Sequence, residues 1–455
     1  MTTTTARKAQ KSQPQTQQNS LQTPIFPDQI VWNIANQVSQ GAVINQAFYA
    51  NFLVYFTSDG EGRDIGNKMT WLHRLPQMSS DGSNEALTLA LRATASAYCG
   101  AETGNVSVLQ DACRLYGQAL QAHAQVLRAR SRAEKEVTVH MVSTSVMLSL
   151  FEAMQATTAQ AYCEHVNGAV RMIEVTGPGQ CMEGVLCQLF FHIRTQMSFV
   201  YLTTRKPQPI KIRKILTENL EYRRLPIFQQ LMTHIASLAE MYISMDDAGG
   251  KEQCIGLEVY SRVKTRVESL WSEYLEQAQL NQEQLFFPGD GAMAYRNGFT
   301  ALTVAYFCAA RILIKVLAPR FASSYPDFTD HFATVMECAR FLQTKKIGCA
   351  YMRMATPLYL VSVHSPSLEQ RRDAIATFQH WKMGSMGGIS ALALATIKQR
   401  MGTEQFHDVD RVDMPHPLDD VQLPMTYVGN EIPDFSTQEV TPMSTYEAKH
   451  WTEIF

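Results

Sequence analysis

The sequence lacks the features that would assign an activity directly. Its 455 residues carry a formal net charge of −2, which is too balanced to indicate a nucleic-acid-binding protein. They contain no G-x-S-x-G, Walker or G-x-G-x-x-G motif, so neither a nucleophile elbow nor a phosphate-binding loop is indicated. The chain is therefore predicted not to be an enzyme and to need no cofactor.

Cysteine is present, but not in a metal-binding or disulfide pattern. The nine cysteines are an odd number in a long chain, and none forms a CxxC pair. No signal peptide opens the sequence, so we expect reduced thiols in the cytosol or nucleus. On a helix, Cys163 and His165 would point in nearly opposite directions. They cannot bind one ion together, and no metal site is predicted.

An uninterrupted apolar run of membrane-spanning length is also missing. The longest apolar stretch, Gly298–Ala318, is broken by Arg311 and Lys315. A membrane-spanning helix needs about 20 predominantly apolar residues with few charges. We therefore expect this stretch to form a buried helix of the core, and we expect no membrane association.

Helical periodicity dominates what the sequence does contain. From Asn84 onward, apolar residues recur at three- and four-residue spacing, whereas strict alternation is hard to find. Four such stripes precede residue 176. In the second half, helices are predicted over 183–203, 226–245, 256–279, 292–317, 328–345, 368–382 and 389–401. Short connections favour antiparallel neighbours, so the predicted fold class is all-α, a large array of antiparallel helical hairpins.

The two ends differ from the helical body in composition. Residues 1–23 are rich in Thr, Gln and Ser, and residues 403–455 combine eleven acidic residues with two basic ones and scattered aromatics. Both ends are predicted to be disordered tails. The acidic tail is equally compatible with fold-on-binding recognition by a coactivator and with no function. Residues 24–402 are predicted to form one helical domain.

The segment Cys163–Gly179 is best explained as a packed helix with a Gly-Pro-Gly stop. Gly177 and Gly179 follow the helix instead of preceding it, so they are C-terminal caps and not a phosphate loop. His165 lies on the apolar stripe and is expected to be buried and hydrogen-bonded. Gly168 lies mid-helix, where glycine costs about 1 kcal/mol relative to alanine. A second helix that crosses closely at Gly168 would explain that cost.

The longer stretch Leu150–Gly179 resembles the fungal-specific transcription factor domain, the helical regulatory half of fungal zinc-cluster activators. The residues that match its motif are Phe151, Glu152, Tyr162, His165, Gly168, Ala169, Gly177 and Pro178. Residues 90–100, 116–127 and 355–375 resemble other segments of that family, so the likeness covers about residues 28–400. It implies a nuclear regulator of transcription, often of a local metabolic pathway or secondary-metabolite cluster. It carries over no catalytic residue.

The chain departs from the full-length members of that family near its N-terminus. Their DNA-reading head is a six-cysteine zinc cluster that opens with CxxC, whereas the first cysteine here is Cys99. Three explanations stay open: DNA binding through a partner, a co-regulator or dominant inhibitor, and an incomplete gene model. The expected partners are proteins, either in a homodimer or in a heterodimer with a zinc-cluster factor, and a coactivator at the acidic tail. Indirect DNA contact, through such a partner, is one open alternative.

Two basic stretches could still contact phosphate, although solvated helix ends and loops look the same in sequence. Their candidate residues are Arg128, Arg130, Arg132, Arg205, Lys206, Lys211, Arg213 and Lys214. Two other functions also stay open. One is a helical-repeat scaffold of the tetratricopeptide kind, whose spacing of about 34 residues appears only irregularly in the first half. The other is an all-helical enzyme with an apolar pocket, for which no substrate is indicated.

Overall fold

A computed structural model of the chain confirms the predicted all-α class. It describes residues 42, 44–53, 56, 71–80, 84–133, 136–158, 160–176, 181, 184–205, 225–247, 257–288, 293–318, 330–345 and 348–401. Within these residues the chain forms fourteen helices with defined bounds and one two-stranded hairpin, and residues 42, 44–53 and 56 are also helical. The predicted tails, 1–23 and 403–455, lie outside the described residues.

Eight helices precede the hairpin. They are α1 (Trp71–Ser80), α2 (Glu85–Thr103), α3 (Val106–Ala133), α4 (Val139–Gln155), α5 (Ala161–Thr176), α6 (Gly184–Thr204), α7 (Ile227–Asp247) and α8 (Leu257–Leu280). Side-chain caps fix two of the starts. Asn84 accepts a hydrogen bond from the backbone N–H of Leu87 at 2.9 Å, and Thr138 accepts one from that of Met141 at 3.3 Å. Each cap satisfies a backbone donor that the first turn of a helix leaves unpaired.

The hairpin and six more helices complete the described fold. They are β1 (Phe286–Pro288), β2 (Met293–Tyr295), α9 (Gly298–Val316), α10 (His331–Lys345), α11 (Gly348–Arg353), α12 (Ala355–His364), α13 (Leu368–Met383) and α14 (Gly387–Met401). The strands are antiparallel, with Phe286 opposite Tyr295. The predicted helix 292–317 therefore starts too early. Its true start is capped by Asn297, which accepts a hydrogen bond from the N–H of Thr300 at 2.8 Å.

Consecutive helices pack as antiparallel hairpins, as predicted. Tyr116 of α3 stacks on Phe151 of α4, whereas His123, further along α3, hydrogen-bonds Ser145, which comes earlier on α4. The order of the contacts is thus reversed between the two helices. The same antiparallel contact recurs between α8 and α9.

Helix α9 lies in the core, which confirms the prediction of a buried helix. By length and composition it is the one helix in the described part of the chain that could cross a membrane, but 78% of its most apolar window is buried in the fold. Arg311, which interrupts its apolar run, forms two hydrogen bonds with Glu268 of α8 at 2.9 and 2.6 Å. Its guanidinium also lies 5.1 Å from the ring centre of Trp271. The charge is thereby paired at the edge of the core.

Helix α14 begins against the last turn of α4, with backbone touching backbone. A Cβ atom at Gly388 would lie 1.8 Å from the carbonyl oxygen of Glu152, which is far inside any allowed contact. A Cβ atom at Gly387 would lie 3.0 Å from the carbonyl oxygen of Met154. Glycine at position 388 is therefore required for this packing of α14 on α4.

Candidate functional site

Three of the residues that carry the resemblance meet around Tyr116, between α3, α4 and α5. The rings of Tyr116 and Phe151 are stacked, with centroids 4.2 Å apart and planes 8° apart. The hydroxyl of Tyr116 is 2.8 Å from Nε2 of His165. Phe151 and Glu152 are completely buried. His165 is hydrogen-bonded, as predicted, but it is only partly buried.

The cluster has two layers, because each of its three helices contributes a pair of residues that are seven positions apart. Each of the three helices contributes two residues: Tyr116 and His123 from α3, Ser145 and Glu152 from α4, and His165 and Met172 from α5. Positions seven apart lie two turns apart on the same face of a helix. Tyr116, Glu152 and His165 form one layer, and the other three residues form the second. We call this set of six residues the three-helix polar cluster.

The second layer is a short hydrogen-bonded chain. The Nε2 atom of His123 is 3.0 Å from the hydroxyl oxygen of Ser145, and that hydroxyl donates to the sulfur of Met172 at 3.9 Å. Because a serine hydroxyl has only one hydrogen, Ser145 accepts the bond from His123. His123 is therefore the donor in its bond to Ser145, and its imidazole carries the proton on Nε2.

The carboxyl group of Glu152 is held by the loop that follows α4. Ala156 ends the helix in the left-handed region, with φ of 50°, and this turns Thr157 back towards the helix. Glu152 accepts hydrogen bonds from the Thr157 backbone N–H at 2.8 Å and from the Thr157 hydroxyl. Burial raises the pKa of Glu152, and its interactions with Thr157 and Tyr116 offset part of that rise.

Both histidines of the cluster are neutral at pH 7. Burial lowers the pKa of His165 to about 4. Burial and the neighbouring His165 together lower the pKa of His123 to about 3. A general base works best when its pKa is near the working pH, so neither imidazole suits proton transfer at neutral pH. The geometry instead suits a hydrogen-bonded clamp between three helices.

Tyr162 and Ala169 are both buried, and Tyr162 takes part in a second set of hydrogen bonds. The Tyr162 hydroxyl hydrogen-bonds the side-chain amide of Gln196 on α6, and that amide bonds Nε2 of His192 at 2.9 Å. Arg353 donates to Nδ1 of the same imidazole at 3.0 Å. These hydrogen bonds were not predicted from the sequence, because α6 is buried on every side and shows no polar face.

The predicted role of Gly168 is wrong. A Cβ atom added there would meet no heavy atom of the described residues within 4 Å, so no helix in this part of the chain crosses closely at that position. The close helix contact in this region involves Gly388 and Glu152 instead. The two remaining motif residues, Gly177 and Pro178, lie outside the described residues.

Three of the eight candidate phosphate contacts have described side chains. Arg128 is exposed at the C-terminal end of α3, and burial lowers the pKa of the partly buried Arg130. Arg205 follows the last residue of α6 with φ of 53°. The side chain of Arg132, and all of Lys206, Lys211, Arg213 and Lys214, lie outside the described residues.

Arg205 lies beside a second arginine where helices end. Burial and the neighbouring Arg205 lower the pKa of Arg400 to about 10. Arg400 hydrogen-bonds the hydroxyl of Tyr242, which is also 2.9 Å from Nε2 of His364. Arg205 follows α6, and Arg400 and His364 lie in the last turns of α14 and α12. Cations are favoured at the negative C-terminal ends of helices, so the fold itself accounts for the placement of the two arginines.

The comparisons assign no family to the chain. Among the residues that the structure describes, no group of three or more His, Cys, Asp and Glu side chains is arranged to hold a metal ion. The chain matches no protein-family profile, no curated protein and no solved structure. The resemblance to the fungal-specific transcription factor domain therefore stays a prediction.

Proposed function

We propose that this chain is a nuclear regulator of transcription, of the fungal-specific type, that acts through its helical domain. One observation carries the proposal. The resemblance rests on separate stretches, and Phe151, Glu152 and His165 from one stretch meet Tyr116 from another, 116–127. Residues that the resemblance marks in separate stretches thus lie in one contact network. The served genes would belong to a metabolic or secondary-metabolite pathway.

The chemistry of that network favours a regulatory domain over an enzyme. Its histidines have pKa values of about 4 and about 3, and its one carboxyl group is completely buried and hydrogen-bonded to Thr157. Such groups join helices more readily than they transfer protons. A regulator that acts by binding partners needs a rigid body of this kind and no bond-making chemistry.

A tetratricopeptide-like scaffold receives less support from the helix lengths. Such repeats stack near-identical helix pairs of about 34 residues. Here α2 and α3 have 19 and 28 residues, whereas α4 and α5 have 17 and 16. The two successive hairpins therefore differ in size, and a regular repeat does not describe them.

A tethering assay tests the proposal directly. The full chain is fused to an unrelated DNA-binding module upstream of a reporter gene, and reporter output is compared with that of the module alone. We expect a clear change in output. A fusion that is expressed, nuclear and without effect on the reporter would contradict the proposal.

A tail variant then locates the activity within the fusion. Replacing the eleven acidic residues of 403–455 by Asn and Gln keeps the length of the tail but removes its negative charge. If the tail recruits a coactivator, this variant should lose activation as fully as deletion of 403–455 does. Chromatin occupancy of the tagged chain, with and without candidate zinc-cluster partners, measures whether DNA contact is indirect. Exclusion from the nucleus under all conditions would argue against regulation.

A further inference from the structure

Helix α8 carries a stripe of residues whose two halves have opposite charge. The stripe follows alternating steps of three and four residues, which keeps its members on one flank of the helix. It consists of Val259, Arg262, Arg266, Ser269, Glu273, Glu276 and Leu280. Each end is apolar, the first half is basic, the second half is acidic, and the serine lies at the centre. We call this set the α8 stripe.

The α8 stripe faces solvent, while a neighbouring face of the helix packs on the core. Val259 is 40% exposed and Leu280 is 75% exposed, and of the seven residues only Glu273 is partly buried. The core-facing residues are Tyr260, Val267, Leu270 and Ala278. Glu273 accepts a hydrogen bond from Gln277 of the same helix at 3.0 Å. Because the core-facing residues already anchor α8 to the domain, a partner can reach the stripe without any rearrangement of the core.

We propose that α8 pairs with the α8 of a second copy of this chain, antiparallel, around a two-fold axis at Ser269. In this register Val259 faces Leu280 of the second copy, Arg262 faces Glu276, and Arg266 faces Glu273. A two-fold interface repeats every contact, so each of these pairs forms twice. The homodimer is one of the partners expected for the proposed regulator, so its biological role rests on that function.

Charge selects the antiparallel arrangement over the parallel one. In a parallel pair, Arg262 and Arg266 would face their own copies, and the two acidic halves would repel each other as well. In the antiparallel pair, all the charged positions of the stripe meet opposite charges, and the helix dipoles also oppose each other. Arg262 already pairs with Glu258 within α8, but both side chains are more than half exposed, so exchanging that partner costs little.

The dimer should be weak and sensitive to salt. A helix of 24 residues is about 36 Å long, and one such pair buries less than the roughly 1,200 Å² of a standard stable interface. Exposed charges interact over about 8 Å at physiological ionic strength and over about 3 Å at 1 M salt. Dimerisation should therefore be concentration-dependent at low salt and should weaken as the salt concentration rises.

A charge-swap experiment on the purified full chain tests the pairing by sedimentation velocity. One variant, Arg262→Glu with Arg266→Glu, makes the charged part of the stripe entirely acidic. The other variant, Glu273→Arg with Glu276→Arg, makes it entirely basic. Each variant alone should dimerise at least about ten-fold more weakly than the unmodified chain. An equimolar mixture of the two should form a heterodimer, because all of its charged pairs are again complementary.

A matched control separates the stripe from net charge. Lys264→Glu with Arg92→Glu changes the net charge by as much as the acidic variant, at two exposed positions outside the stripe. This control should dimerise like the unmodified chain. Circular dichroism of each variant verifies that the helical fold is retained. No promoter or reporter enters the measurement, so a failed dimer and a failed regulator are distinct results.

Cross-linking tests the position of the axis even if a charge variant fails to fold. A cysteine at position 269 (Ser269→Cys) would lie next to the same residue of the second copy and should be joined by a short bismaleimide. A cysteine at position 261 (Ser261→Cys) lies eight residues away, so the two copies would be about 24 Å apart and should stay unlinked. The unmodified chain measures the background from its own thiols, such as the exposed Cys113.

Three results would each overturn the inference. The first is an unmodified chain that stays monomeric at every concentration at low salt. The second is a pair of folded charge variants that dimerise as well alone as the matched control does. The third is equal cross-linking at positions 261 and 269. Monomeric variants that dimerise only when mixed, together with cross-linking at position 269 alone, would support it.

Discussion

Replacing Gly388 by alanine should break the backbone-to-backbone contact between α14 and α4. The added Cβ would lie 1.8 Å from the carbonyl oxygen of Glu152 and 2.9 Å from its carbonyl carbon. A carbon and a carbonyl oxygen normally approach to about 3.3 Å, so α14 would have to withdraw from α4 by about 1.5 Å. The obstructing atoms are backbone, so no side-chain rotation relieves the clash.

The expected loss follows from two opposing terms. Overpacking of a well-packed interior typically costs about 1–3 kcal/mol, and a clash with backbone belongs near the upper end of that range. Against this cost, the higher helix propensity of alanine stabilises the helix by up to about 1 kcal/mol relative to glycine. We therefore expect Gly388→Ala to lower the free energy of unfolding by about 2 kcal/mol, because the steric term is larger.

Gly168→Ala is the matched control, since it makes the same chemical change inside α5. No heavy atom lies within 4 Å of the added Cβ, so only the propensity term applies. This variant should be more stable than the unmodified chain by about 0.5–1 kcal/mol. Urea unfolding followed by circular dichroism measures both midpoints at a constant m-value. If both variants shifted the midpoint in the same direction, the assignment of the close contact to Gly388 would be refuted.

Two further predictions concern the three-helix polar cluster. Tyr116→Phe keeps the stack on Phe151 but removes the hydroxyl that bonds His165. It should lower the free energy of unfolding, measured in urea, by about 1–2 kcal/mol. An unchanged urea midpoint would contradict this prediction. His123 has a folded pKa of about 3, below the value of about 6.5 in the unfolded chain, so the unfolded state binds more protons as pH falls below 6.5. The free energy of unfolding should then fall by up to about 1.4 kcal/mol per pH unit down to about pH 3. His123→Gln should reduce that slope. Equal slopes in the two proteins would refute the assignment of this pH dependence to His123.

The helices were largely predictable because their signal is local. The predicted segments 183–203 and 226–245 correspond to Gly184–Thr204 and Ile227–Asp247 within two residues at each end. The helices that escaped prediction, α1, α11 and α12, are short, with 10, 6 and 10 residues. Helix α12 is buried from Ala355 to Ser362 without interruption, so no polar face marks its periodicity. The three-residue strands β1 and β2 are too short to show alternation.

The candidate site was predictable only one helix at a time. The spacing around His165 correctly indicated a hydrogen-bonded residue, but its partner Tyr116 lies 49 residues away in the chain. The glycines show the same limit. Gly168 and Gly388 carry the same intrinsic cost on a helix, so propensity cannot tell which of them meets a neighbouring backbone. The hydrogen bonds around His192 were unpredictable for the same reason, since they join residues of α5, α6 and α11.

The sequence by itself determined that this chain is built of helices, roughly where most of them run, and which face of the amphipathic ones is apolar. Hydrophobic periodicity and capping act over one or two turns, so they can be recognised without knowledge of the fold. Only the tertiary structure decided which helices touch, where glycine is indispensable, and which histidines lose their charge. Those properties depend on distances and burial between residues far apart in the chain, and no local pattern encodes them.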